Sequence, residues 1–114
     1  MPSLTVFGFG SFFRPQGRSP RDVDLLLIHD DCSRRSIEFA LFCKALIRQE
    51  LPSADIVMLS AAEELDLKFI ERSKAVQLSV VSNPNHLQDI YRTIGARLFS
   101  VEAEAVLKPL AASE

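Results

Sequence analysis

Tryptophan is absent from this 114-residue chain, and tyrosine occurs once. The chain has two cysteines, Cys32 and Cys43, too few for a disulfide framework, and they read as reduced thiols. Its two histidines, His29 and His86, stand far apart in sequence, so no zinc site is expected. No apolar run approaches the roughly 18 residues of a membrane helix. No basic segment followed by an apolar one opens the chain, so no signal peptide is expected. Charge of one sign is also lacking: 13 Lys and Arg against 15 Asp and Glu leave a net −2, which argues against electrostatic binding of nucleic acid. Repeats, low-complexity stretches and linkers are missing as well. These absences leave a cytoplasmic globule in one domain, residues 1–114, with 47% hydrophobic and 25% charged residues.

What is present is concentrated near the N-terminus. The pair Gly10-Ser11 is followed by a loop rich in Pro, Gly, Ser and Arg, and then by Asp22-Val23-Asp24 opening the apolar run Leu25–Ile28. Alternate strand residues share a face, so Asp22 and Asp24 are expected to project together, roughly 6–7 Å apart at about 3.3 Å per residue. Two adjacent carboxylates repel, and a divalent cation removes that cost; Mg²⁺ is held by one or two carboxylates plus substrate phosphates. A Gly-Ser turn upstream brings backbone N–H groups and a hydroxyl to such phosphates. Arg14, Arg18 and Arg21 lie between the halves of the motif, where they either balance triphosphate charge or are solvated loop residues.

The remaining pattern alternates strands and helices. Strands are expected at Leu4–Phe9, Asp22–Ile28, Ala54–Leu59 and Ala75–Val81. Ser33 caps a helix reaching about Glu50, and Pro52 follows its end. Ser60-Ala61-Ala62-Glu63 matches a capping box for a short helix to about Ser73, which makes Glu63 a capping partner rather than a catalytic acid. Phe12–Arg21 reads as a loop with one helical turn after Ser11, and His29 as a turn histidine. Asn83-Pro84 opens a last helix to about Leu107, whose stripe Leu87, Ile90, Tyr91, Ile94, Leu98 and Val101 is mostly core and a candidate homodimer surface. The fold class is therefore α/β (α+β), a mixed sheet of about four strands flanked by helices.

The spacing Gly-Ser-x10-Asp-x-Asp resembles the signature of the DNA polymerase beta-type nucleotidyltransferases, most of all their minimal, antitoxin-like branch. The resemblance spans about Val6 to Val81. It implies that Gly10 and Ser11 contact nucleotide phosphates and that Asp22 and Asp24 hold two Mg²⁺ ions, for which Mn²⁺ can substitute. It also implies a third carboxylate on a later strand, for which Asp55, opening Ile56–Leu59, is the candidate. With Arg14 and Arg21 as phosphate partners, the implied activity is transfer of a nucleoside monophosphate from an NTP, by preference ATP, to a hydroxyl. In that branch the acceptor is often a partner protein such as a small helical ribonuclease toxin. These 114 residues open almost at the first expected strand, and no second helical domain for the acceptor is expected among them. A catalytically silent partner-binding protein and a nucleotide sensor are the alternative readings.

Overall fold

In the computed structural model, residues 2–13 and 23–96 are described. β1 (Leu4–Phe9) alternates buried and half-buried positions, the signature of a strand covered on one face more than on the other. A 3-10 turn (Ser11–Phe13) follows, closed by a bond from the Phe13 N–H to the Gly10 carbonyl at 3.2 Å. β2 (Asp24–His29) is buried from Leu25 onward, as its unbroken apolar run requires. α1 (Arg34–Glu50) starts at Ser33, whose hydroxyl accepts from the Ser36 N–H at 3.2 Å, and its Ala40, Cys43 and Ile47 line one buried stripe. β3 (Asp55–Ser60) runs into α2 (Ala61–Leu67). After α3 (Phe69–Ser73) and β4 (Val76–Val81), a 3-10 turn at Pro84–His86 leads into helical backbone described over 87–96, here α4.

The fold is α+β. One four-stranded mixed sheet has the order β3-β2-β1-β4. β1 is antiparallel to both β2 and β4, and β2 is parallel to β3. α1 supplies the long crossover that a parallel pair needs. Between Val6 and Phe7 the register against β4 skips Leu78, a bulge that inserts one residue into this edge strand. Strand alternation divides the core in two. Leu4, Val6, Leu25 and Leu27 meet α1 and the α4 residues Leu87, Ile90 and Ile94 on one face. Leu26, Ile28 and Leu59 meet Ala61, Phe69 and Ile70 on the other. The 87–94 part of the expected dimer stripe is thus core; Leu98 and Val101 lie outside the described residues.

Two expectations need correction. The segment after Ser60 is two helices, because Lys68 adopts a left-handed conformation (φ 51°) that ends α2 and begins α3. The last helix opens as a 3-10 turn, with Asn83 Oδ1 accepting from the Asn85 N–H at 2.7 Å. The helical turn expected after Ser11 is present at Ser11–Phe13, and it belongs to the core: Phe12 is 4% exposed, and the Phe13 ring occupies the space that a Cβ on Gly8 would need. No sequence motif marks that contact; its signal is a glycine inside a strand, which often means close approach of another group.

Left-handed backbone costs an L-residue about 1–2 kcal/mol. Lys68→Gly is therefore expected to stabilise the protein by about 1 kcal/mol, after allowing for glycine's greater unfolded-state entropy. An upward shift of the urea midpoint with unchanged slope would show it, and a downward shift would refute it.

The two thiols separate chemically. Cys32 is exposed, and Cys43 is buried in α1. Burial pushes the Cys43 thiol up to about 11 from 9.0. Near pH 8 a thiol reagent should label Cys32 alone in the native chain and both cysteines in urea. The raised value favours the neutral thiol in the fold. Its stabilising contribution is complete below pH 9 and is lost as the pH climbs toward 11. A Cys43→Ala variant should show a flatter loss of stability across that alkaline window.

Candidate functional site

The C-terminal end of β1 and the N-terminal ends of β2 and β3 lie along one edge of the sheet, since β1 runs opposite to the other two. One rung crosses all three strands there. Phe9 stands opposite Asp24, and Asp24 is in register with Asp55. Directly paired residues share a face. These three side chains therefore project to the same side as Leu26, Val57 and Phe7, the side of α2 and α3. Asp24 and Asp55 are one strand spacing apart, about 4.8 Å. Asp24 is half-buried and Asp55 is exposed. The Asp55 N–H donates to the Val23 carbonyl at 2.9 Å, which ties the mouth of β3 to the residue before Asp24.

Gly10 follows Phe9 with φ +80°, and a Cβ there would collide with the Asp24 carboxylate. Two independent requirements thus select glycine: the left-handed turn, and the close approach of the carboxylate to its Cα. This contact unites the two halves of the motif, which the sequence separates by a loop. The backbone of Ser11 opens the 3-10 turn next to it. Asp22, Arg14, Arg18 and Arg21 lie outside the described residues. Among the described residues, the structure brings together Gly10, Asp24 and Asp55, three of the seven residues that the motif and the resemblance single out.

The donor set suits a hard cation. Two carboxylates side by side leave like charge concentrated at one place, and oxygen ligands of this kind fit Mg²⁺ rather than a soft metal. Two carboxylates alone make an incomplete site. Among the described residues no group of three or more His, Cys, Asp or Glu is placed to hold a metal ion.

Other acidic residues have structural roles. The Glu63 carboxylate accepts from the Ser60 N–H at 2.9 Å while the Ser60 hydroxyl accepts from the Glu63 N–H at 3.1 Å, which completes the capping box. The Ser60 backbone bond holds the Glu63 carboxyl below its ordinary value. Glu64, which the sequence did not single out, takes the N–H groups of Phe69 and Ile70 at 3.1 and 3.0 Å and so caps α3 from the preceding helix. Asp31 accepts from the Ser33 N–H at 2.8 Å, and its bonds to Ser33 lower its pKa. His29 is the last residue of β2 and buried, with Nδ1 2.7 Å from the Asp31 carbonyl. Nδ1 therefore carries the proton, and the ring serves the turn at the far end of the strand. A concavity lined by Pro2, Asp30, Asp31, Ser33, Arg35 and Ser36 opens at that far end, away from Asp24 and Asp55.

No helix among the described residues is long and apolar enough to cross a membrane. Compared with protein-family models, with curated proteins and with solved structures, the chain gives no match.

Proposed function

We infer that this protein is a Mg²⁺-dependent nucleotidyltransferase that moves a nucleoside monophosphate, AMP by preference, from an NTP to a hydroxyl of a partner protein. The observation that carries this reading is the rung on which Asp24 and Asp55 stand side by side with Gly10 tucked beneath the Asp24 carboxylate. Asp24 and Asp55, with Asp22 from the same motif, would hold the metal. Bound there, Mg²⁺ supplies charge neutralisation for the triphosphate and for the departing pyrophosphate. The Gly10-Ser11 turn lets backbone approach the β- and γ-phosphates without a side chain between, and Arg14 and Arg21 balance their charge. Asp55, which is exposed, would take the proton from the acceptor hydroxyl. The acceptor oxygen then bonds to the α-phosphorus, the α–β phosphoanhydride bond breaks, and pyrophosphate leaves with its electron pair. A small helical ribonuclease toxin is the acceptor class that the motif's resemblance favours.

The test is label transfer from α-³²P NTPs with Mg²⁺ or Mn²⁺ into host lysate and into the protein itself. The Asp22→Asn/Asp24→Asn double variant serves as control. Label from wild type alone supports the reading and identifies the acceptor by its band. Metal-dependent nucleotide binding without label makes the chain a nucleotide sensor. Neither binding nor label leaves a catalytically silent protein that acts by contact with a partner.

A further inference from the structure

The carboxylate rung has a cation on its other flank. Two contacts hold the α3–β4 junction at the Gly10 end of β1. The Phe69 ring meets the Phe9 ring edge-to-face with centroids 5.0 Å apart, and Val76 pairs with Gly8. The chain between these anchors, residues 70–75, therefore turns at that end of the sheet. Lys74 comes two residues before Val76, as Gly10 comes two residues after Gly8. Because β4 is antiparallel to β1, Lys74 stands on the β4 flank of the Gly10 turn, and Asp24 and Asp55 stand on the opposite flank.

Lysine is an unexpected residue for that position. The Lys74 N–H donates to the Glu71 carbonyl at 3.4 Å and the Ala75 N–H to the Ile70 carbonyl at 3.0 Å, the bonds of a Schellman cap. The left-handed residue of such a cap is usually glycine, yet Lys74 takes it with φ 56°. Glycine would serve the backbone better, so what lysine adds is its charge. Lys74 is exposed and makes no ion pair with any other described residue.

We propose that Lys74 is a substrate-positioning residue that holds the terminal phosphates of the NTP, and then the departing pyrophosphate, beside the Gly10-Ser11 turn. This rests on the nucleotidyltransferase reading of the rung. A polyphosphate needs positive charge along its length. Metal on Asp24 and Asp55 would neutralise one part of it, and the Lys74 ammonium would neutralise the part beyond the turn, as a point charge on a flexible stem. β2 and β4 are two strand spacings apart, about 10 Å, a gap that a triphosphate and a lysine side chain bridge together.

Calorimetric titration of the full chain with inorganic triphosphate and Mg²⁺ tests this, with urea denaturation of each variant alongside. Lys74→Gly suits the left-handed backbone, so its urea midpoint should not fall below that of wild type. Its affinity for triphosphate should drop about tenfold, the loss of one charge-assisted contact. Lys74→Arg keeps the charge and should restore the affinity. Lys68→Gly makes the same exchange at the left-handed residue on the other side of α3 and should bind as wild type does. If Lys74→Gly binds triphosphate as wild type does, or Lys68→Gly weakens binding equally, the assignment of Lys74 is overturned and the metal–phosphate reading of the rung stands. If wild type itself binds no triphosphate with Mg²⁺, the nucleotidyltransferase reading fails and the role of Lys74 with it.

Discussion

On the proposed nucleotidyltransferase reading, Asp24→Asn is expected to reduce transfer by roughly 10²–10³-fold, since it would remove several kcal/mol of charge stabilisation at the reacting phosphate. The substitution is nearly isosteric, so the strand pairing of Phe9, Asp24 and Asp55 should persist. What changes is charge. With one carboxylate gone, the repulsion across the rung falls. The two readouts together carry the prediction. A drop in activity with a matching drop in melting temperature would make Asp24 a structural residue, packed against Gly10 for the sake of the turn. A drop in activity alone, with loss of the extra stability that bound Mg²⁺ would give wild type, is the outcome expected of a ligand. Asp55→Asn should behave in the same direction. Because Asp55 is exposed, it should leave melting still less affected.

Leu27→Ala should have the largest effect on the fold. Leu27 is fully buried at the centre of β2, paired with Val6 on one side and Met58 on the other, in the larger of the two cores. Truncation removes its transfer free energy and leaves a cavity that two flanking strands cannot close, a loss of about 3–4 kcal/mol. Domains of this size are stable by about 5–15 kcal/mol, so about a fifth or more of the total is at stake. At about 4 °C per kcal/mol the melting temperature should fall by about 12–16 °C. Leu65→Ala, at a position 78% exposed on α2, is the control and should change stability by no more than about 0.5 kcal/mol. Equal losses at the two sites would mean that the larger core does not dominate stability. Urea denaturation of both variants distinguishes these cases.

The sequence made the elements legible to different degrees. β1 was read with the bounds it has, because an apolar run ending at a glycine has no competing interpretation. α1 and the Ser60–Glu63 capping box were readable because capping is local chemistry at fixed spacing. Lys68 was not, since lysine is a good helix former and its left-handed turn is set by α3 docking onto Phe9. The burial of Phe12 and Phe13 was hidden for the same reason: their partners, Gly8 among them, come from the sheet. Of the candidate site, the association of Gly10 with Asp24 was implicit in the motif. The adjacency of Asp24 and Asp55 depends on the parallel pairing of β2 and β3, and the strand order β3-β2-β1-β4 cannot be read from spacing.

That rung joins residues 9, 24 and 55, which lie 15 (24 − 9) and 31 (55 − 24) positions apart along the chain. No fragment shorter than the β1–β3 span contains it, and a parallel pairing across a helix is among the slower contacts for a chain to close. A partly folded or nascent chain therefore carries the motif without the site. Nucleotide held there would act as a latch on the completed fold, slowing its opening in proportion to occupancy. Amide exchange across β2 and β3, compared with and without Mg²⁺ and ATP, would read that latch one strand at a time.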